Sequence, residues 1–294
     1  MHQKQYSDCP KLLQIIILLL VFCVAATAQQ ATDKVPPSPA TTQPVPTTHI
    51  DPLSVQSLLV QIYSRGESLG SGTGFVVKKN EKAYLVTNWH VVSARRPDTG
   101  AAMDPQGRYP DEIQILQNVK GHLGTWTYKS EKLVNEKNEA LWIEHPLGKA
   151  VDVVFVPLSN LSDVDLYPVN LELRKIPIRL APAGNVSIIG FPFGHSQTAG
   201  LPIWKTGTIA SDPDIDYDKS PQILVDCTGR PGMSGSPVYA RRSGMYQDEN
   251  TGVNMVSGQT DRFIGIYAGS IDQTSEIGRV WKASAIMTIY DALP

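Results

Sequence analysis

After residue 52, the chain consists mainly of short apolar segments rich in Val, Ile and Tyr, separated by Gly, Pro, Asn and Asp. Short segments of this composition, bounded by turn residues, predict β-strands of an antiparallel barrel or sandwich. The candidate strands are residues 57–64, 72–79, 83–88, 112–117, 125–130, 132–138, 152–158, 186–191, 203–211, 222–227, 236–240 and 262–269. The pattern therefore predicts an all-β fold.

Only the segment KASAIMTIYDAL, residues 282–293, has helical periodicity. It places Ile286, Ile289, Tyr290 and Leu293 on one face, as expected of an amphipathic helix. A single C-terminal helix is predicted to pack on the β-structure.

The N-terminus has the order of a secretory signal. Lys4 and Lys11 precede the apolar run LLQIIILLLVFCVAA, and Ala26-Thr27-Ala28 follows it. This order predicts a signal peptide over residues 1–28, cleaved after Ala28, and an exported protein, periplasmic or secreted. The alternative is a retained membrane anchor, because the apolar run approaches the length of a membrane span.

Residues 29–52 are dominated by Pro, Thr, Ala and Gln, with almost no side chains to bury, which predicts an extended linker. The folded domain is then expected over residues 53–294. Charged residues make up 18% of the chain and the net charge is −2, so nothing indicates binding to nucleic acid.

Cysteine usage excludes an internal disulfide in the mature chain. Two of the three cysteines, Cys9 and Cys23, lie in the predicted signal peptide, which leaves Cys227 alone. Cys227 lies in an apolar segment and is predicted to be a buried hydrophobic residue. An exported domain without disulfides must be stabilised by its hydrophobic core.

Three segments carry candidate chemistry. LVTNWHVV (85–92) places His90 after a strand, AVDVVFVPL (150–158) places Asp152 at the start of one, and RPGMSGSPVY (230–239) encloses Ser234 between glycines. A serine nucleophile needs an imidazole base, a carboxylate that orients it, and N–H groups directed at the oxyanion. Asp163 and Asp165 are weaker candidates for the carboxylate, because they lie in a polar turn.

Together these segments resemble the trypsin/chymotrypsin-like serine proteases, and most closely the disulfide-free bacterial branch similar to the high-temperature-requirement proteases. GSGTGFVV (70–77), IIGFPFG (188–194) and WKTGTIAS (204–211) add to the resemblance. It implies two six-stranded antiparallel barrels, over about 53–175 and 176–294, and no PDZ domain is expected after them.

The resemblance implies an exported serine endopeptidase that acts on proteins or peptides through a triad of His90, Asp152 and Ser234. The N–H groups of Gly232 and Ser234 would form the oxyanion hole. The base of the primary specificity pocket would lie at Thr228, and its wall at Tyr267, Ala268 and Gly269. Since Thr228 is not a carboxylate, we expect an uncharged side chain at the cleaved position.

Two residues depart from the family pattern. Met233 stands where many members have Asp or Asn, so an ion pair with a freed N-terminal amine cannot form. Ser236 replaces a glycine, which is tolerable if the backbone torsion there is not restricted to glycine. These departures leave open an alternative function, a catalytically silent module of the same fold that binds peptides.

No metal or other cofactor is expected. The acidic run DPDIDYDKS (212–220) lacks the glycine and the glutamate of a calcium loop. A membrane partner is expected only if the signal segment is retained, and the sequence assigns no oligomeric state.

Overall fold

The computed structural model describes residues 49–250, 252–272 and 274–294, which form two antiparallel sheets, two α-helices and four short 3-10 helices. The predicted signal peptide and residues 29–48 of the predicted linker lie outside the described residues. Asp51, at the end of the linker, forms an ion pair with Arg241 and so contacts the folded domain. None of the described helices is long and apolar enough to cross a lipid bilayer.

The first sheet is built mainly from strands in the first half of the chain. Its strands are β1 (Ser57–Ser64), β2 (Glu67–Lys79), β3 (Lys82–Thr87), β4 (Glu112–Val119), β5 (Trp126–Lys132), β6 (Ile143–Glu144), β7 (Val154–Pro157) and β8 (Val164–Asp165). They pair in the order β5-β4-β1-β2-β3-β7-β6, and β8 pairs with β4. Residues two apart on β1 and β4, Val60, Ile62, Ile113 and Ile115, share one apolar cluster because alternate side chains face the same side.

The second sheet is a closed six-stranded barrel. Its strands are β9 (Asn185–Gly190), β10 (Ile203–Ile209), β11 (Gln222–Asp226), β12 (Pro237–Asp248), β13 (Gly252–Ser270) and β14 (Ile277–Lys282). The order around the barrel is β10-β11-β14-β13-β12-β9. Its interior includes Cys227, 4% exposed and with a thiol pKa raised by burial, which confirms the predicted buried hydrophobic role.

The two sheets and the C-terminal helix share a third apolar cluster. Phe75 of β2 meets Phe263 of β13 edge to face, with ring centroids 5.7 Å apart. Helix α2 (Ala283–Ala292), which follows the first helix α1 (Trp89–Ser93) in the chain, adds Ile286 and Ile289 to this cluster. Lys79 donates to the carbonyl oxygens of Tyr290 and Asp291, where a cation is favourable at a helix C-terminus.

The predicted all-β fold with a C-terminal helix is confirmed, with differences in detail. The second sheet has the expected six strands and is closed. The first sheet has eight strands and is open, because the strands at the two ends of its order, β5 and β6, do not pair with each other. The candidate strand at 132–138 is wrong, because after Lys132 the chain turns and pairs only through the bridge between Val134 and Ala140. The strand at 277–282 was not predicted.

Candidate active site

His90 and Asp152 are in direct contact. His90 lies in α1, just after β3 ends at Thr87, and Asp152 lies two residues before β7. The His90 Nδ1 is 2.7 Å from Asp152 Oδ2, and the His90 backbone N–H donates to Asp152 Oδ1 over 2.9 Å. A carboxylate accepts hydrogen bonds, so this contact places the ring proton on Nδ1. Nε2 is then an acceptor able to take a proton.

Asn88 holds the backbone of Asp152. Its side-chain Nδ2 donates to the Asp152 carbonyl oxygen over 2.7 Å, and the residue is fully buried. The side chain of Asn88 therefore connects the end of β3 to the segment that orients His90. Sequence reasoning missed this residue, although it lies inside the LVTNWHVV segment.

Asp163 and Asp165, the weaker candidates, do not contact His90. Asp163 forms an ion pair with Lys129 on the surface, and Asp165 accepts from the Gly121 N–H over 2.7 Å. Asp152 is thus the carboxylate that the structure pairs with His90.

Ser234 lies in the turn before β12, against the middle of β2 and the end of β3. The Thr73 N–H donates to the Ser234 carbonyl oxygen over 2.8 Å. A Cβ atom added at Gly235 would lie 2.6 Å from Thr87 Oγ1, so the serine turn touches the strand end that leads to His90. Glycine at 235 permits both this close approach and its φ of 92°.

Of the three predicted triad residues, His90 and Asp152 contact each other directly, and the turn that carries Ser234 lies against the strand end that leads to His90. Ser234 is half-buried, and its Oγ forms no hydrogen bond with His90 or with any other of the described residues. Catalytic hydrogen bonds are often long in a free enzyme and shorten when substrate binds.

The predicted oxyanion-hole donors are free. Neither the Gly232 N–H nor the Ser234 N–H donates to any residue in the described part of the chain. Gly232 has φ 92°, and a Cβ atom there would lie 2.4 Å from the Phe191 carbonyl oxygen. Only glycine fits this conformation and this space.

A single buried threonine ties the oxyanion turn to the first sheet. Thr73 Oγ1 donates to the Gly232 carbonyl oxygen over 2.8 Å and accepts from the Phe191 N–H over 3.2 Å. Thr73 is fully buried, so these groups have no access to water. Sequence reasoning did not single out this residue, because its partners are more than 100 positions away in the chain.

The structure accounts for both departures from the family pattern. Met233 is fully buried and belongs to the apolar interior of the barrel, so an apolar side chain suits its position. Ser236 has no positive φ, and its hydroxyl donates to the Met233 carbonyl oxygen over 2.6 Å. Gly190 provides the space, since a Cβ atom added there would lie 1.9 Å from Ser236 Oγ.

The predicted specificity wall runs beside the serine turn. The Gly235 N–H donates to the Tyr267 carbonyl oxygen, and the Tyr267 N–H donates to the Ser236 carbonyl oxygen, each over 2.9 Å. The Tyr267 side chain and Ala268 are buried, whereas Thr228 is half-buried. A Cβ atom added at Gly269 would lie 3.8 Å from Ser234 Oγ, so this wall lines the site.

A groove of about 1020 Å³ lies along the other side of α1. Its walls include Trp89, the neighbour of His90, and Trp142; both indoles donate to Glu144 Oε1. The loop that follows α1 is organised around Arg95, which donates to backbone carbonyls and stacks under the ring of Tyr109 at 3.6 Å. None of His90, Asp152 and Ser234 lines this groove.

No group of three or more His, Cys, Asp and Glu side chains suited to a metal ion occurs among the described residues.

A model of the trypsin-like peptidase domain matches residues 72–245, more than half of the chain. The chain belongs to this family. The match includes all three predicted triad residues and parts of both sheets, whereas β1, β13 and β14 lie outside it.

This trypsin-like peptidase is also similar to solved structures of low sequence identity. The active form of the Rv3671c protease from M. tuberculosis is 15% identical, with 81% of each chain covered and a TM-score of 0.46. The serine endoprotease from Yersinia pestis is 15% identical, over 84% of this chain and 66% of that one, with a TM-score of 0.45. A thermostable serine protease, AL20, from an extremophilic microorganism is 10% identical, over 82% and 98%, with a TM-score of 0.47.

Proposed function

We propose that this trypsin-like peptidase is an exported serine endopeptidase that cleaves proteins or peptides through an acyl-enzyme. The observation that carries the proposal is the contact between His90 and both carboxylate oxygens of Asp152, beside a serine turn with two free N–H groups. This arrangement supplies a base, its orienting carboxylate and oxyanion donors, which acyl transfer by a serine requires.

In the proposed reaction, Ser234 Oγ attacks the peptide carbonyl carbon while its proton passes to His90 Nε2. The N–H groups of Gly232 and Ser234 stabilise the negative oxygen of the tetrahedral intermediate. His90 then protonates the leaving amine, and the C–N bond breaks to give an acyl-enzyme. Water, deprotonated by His90, hydrolyses the ester and restores Ser234. Asp152 holds the imidazole in the required tautomer throughout.

Cleavage within a chain, rather than at its ends, is a separate part of the proposal. An internally quenched peptide blocked at both termini tests this step, because only an endopeptidase separates its fluorophore from its quencher.

Labelling with a fluorophosphonate probe tests the nucleophile. The protein is the chain from Gln29 onward, compared with the Ser234→Ala, His90→Ala and Ser236→Ala variants, and intact mass followed by peptide mapping locates the adduct. We expect one adduct, on Ser234, that is lost in the first two variants. Ser236→Ala is the matched control, because Ser236 is two residues away and its hydroxyl is already bonded to Met233.

A catalytically silent peptide-binding module is the second candidate, and the missing hydrogen bond between Ser234 and His90 is the observation in its favour. A folded wild-type protein that binds peptides but neither reacts with the probe nor turns over any peptide would establish this alternative.

Export is proposed from the N-terminal sequence alone. Fractionation of expressing bacterial cells, followed by N-terminal sequencing, tests it. A mature protein that begins at Gln29 outside the cytoplasm is the expected result. An intact N-terminus in the membrane fraction would indicate a retained anchor.

A further inference from the structure

Three backbone segments enclose the space next to Ser234 in which a substrate side chain would lie. These segments are residues 228–230, 268–270 and 277–279. Ser270 pairs with Gly278 across β13 and β14, and a Cβ atom added at Gly229 would lie 3.5 Å from Ser270 Oγ. Since Gly269 borders Ser234 Oγ, the side chain preceding the scissile bond enters between these segments.

The phenol of Tyr267 already fills this space. A Cβ atom at Gly229 would lie 1.8 Å from the Tyr267 hydroxyl, and one at Gly278 would lie 2.5 Å from its ring atom Cε2. Tyr267 is 1% exposed, so its ring is enclosed on all sides. The walls of the pocket thus contact a side chain of the protein itself.

The two glycines have a steric explanation. Neither Gly229 nor Gly278 has a positive φ, so the backbone conformation alone does not require glycine at these positions. What excludes a larger residue is the contact with the Tyr267 phenol.

The Tyr267 phenol that fills this space is uncharged. Burial raises the pKa of the Tyr267 phenol, although the nearby Ser270 hydroxyl partly offsets this effect, so the tyrosine is neutral. The Tyr267 hydroxyl has no hydrogen-bond partner of good geometry among the described residues. The charged groups around it are Arg279, which donates to the Ser270 carbonyl oxygen, and Glu276, which is exposed.

We infer that Tyr267 fills the primary specificity pocket, so that the peptidase accepts only small uncharged side chains, those of Gly, Ala and Ser, at the residue before the scissile bond. The inference rests on the proposed function and names its substrate class. A large side chain has no room because the phenol occupies the space. The nearby carboxylate of Glu276 is exposed and lies 3.9 Å from Arg230, so it is not a buried partner for a basic side chain.

A series of peptide p-nitroanilides that differ only in the last residue, Ala, Ser, Leu, Phe, Lys or Glu, tests the inference. For the wild-type protein we expect kcat/KM for Ala to exceed that for Phe by at least about 100-fold, the scale of steric discrimination in such pockets. Tyr267→Ala should open the pocket and bring the Phe substrate to or above the Ala substrate. Tyr267→Phe is the matched control, because it keeps the ring and should keep the preference for Ala.

The outcomes separate this inference from the proposed function. Labelling of Ser234 by the fluorophosphonate together with a wild-type preference for Leu, Phe, Lys or Glu would overturn the inference and leave the endopeptidase intact. A preference for Glu would instead assign the pocket to Arg279. If Ser234 is not labelled and no peptide is turned over, the proposed function is overturned, and this inference with it. Because the wild-type profile alone decides, a misfolded Tyr267→Ala variant does not remove the test.

Discussion

The backbone N–H of Phe193 donates a hydrogen bond of 2.6 Å to the carbonyl oxygen of Pro231. In a trans peptide the C=O and the following N–H point in opposite directions, so this bond directs the Gly232 N–H away from Phe193. Phe193 reaches this position with φ 54°, in the left-handed region. The exposed loop that contains Phe193 therefore sets the orientation of a peptide unit that the sequence assigns to the oxyanion hole.

Replacing Phe193 by proline removes this N–H and imposes a negative φ. We expect kcat/KM to fall by about 10²- to 10³-fold, the loss typical of one missing oxyanion donor. The affinity for a peptide aldehyde, which mimics the tetrahedral intermediate, should fall in parallel. Phe193→Gly keeps the N–H, favours a positive φ and should remain close to the wild-type protein. Equal activity of the proline and glycine variants would show that the Phe193 N–H does not determine the orientation of the Gly232 N–H.

Thr73→Val leaves the Gly232 carbonyl oxygen and the Phe191 N–H buried without a partner. We expect the free energy of unfolding to fall by about 1–3 kcal/mol for each unpaired group, measured by urea denaturation. We also expect a loss of kcat larger than any change in KM, since the proposed oxyanion donors lie in this turn. Thr73→Ser retains the hydroxyl and should restore both quantities. A valine variant with wild-type kcat would restrict Thr73 to a structural role.

Asp152→Asn tests the orienting carboxylate. An amide in this position can donate to Nδ1 and so favour the tautomer in which Nε2 carries the proton and cannot accept one. We expect kcat to fall by about 10⁴-fold, as happens when the corresponding carboxylate is replaced in serine proteases. Asp165→Asn is the control, because Asp165, at the end of β8, was an alternative candidate for the carboxylate and does not contact His90. If Asp165→Asn were the more damaging change, the pairing of His90 with Asp152 would not be the catalytic one.

Burial lowers the pKa of the His145 imidazole, which is 9% exposed and whose Nδ1 accepts from the Leu147 N–H. Below about pH 6.5, the usual pKa of histidine, the unfolded chain therefore binds a proton at His145 more readily than the folded protein does. Stability should decrease as the pH falls below about 6.5, by at most about 1.4 kcal/mol per pH unit for this group, until the folded pKa is passed.

His145→Asn keeps an acceptor near the position of Nδ1 and should weaken this pH dependence. Urea denaturation between pH 7.5 and pH 5 measures it, and we expect the number of protons taken up on unfolding to fall by at most about one. The exposed His122 provides a matched His122→Asn control that should leave the slope unchanged. An identical slope for His145→Asn and the wild-type protein would contradict the buried-histidine explanation.

The sequence by itself determined the β-rich fold, the C-terminal helix and the candidate chemistry, because these depend on local patterns. Apolar segments bounded by turn residues predicted β1 over residues 57–64, as observed, and helical periodicity predicted α2 to within a residue at each end. The order of the segments around His90, Asp152 and Ser234 pointed to acyl transfer before any contact was known.

Only the tertiary structure decided which distant groups meet. The parts of β12 and β13 that pair near Asp248 and Gly252 are largely exposed. Their sequence therefore has no apolar pattern that predicts strands. The hydrogen bonds from Thr73 to Gly232 and from Phe193 to Pro231 join residues that are far apart in the chain. The Tyr267 phenol occupies the predicted pocket because Gly229 and Gly278 leave room for it. Such contacts depend on the closure of the barrel and its packing against the first sheet, which no local pattern encodes.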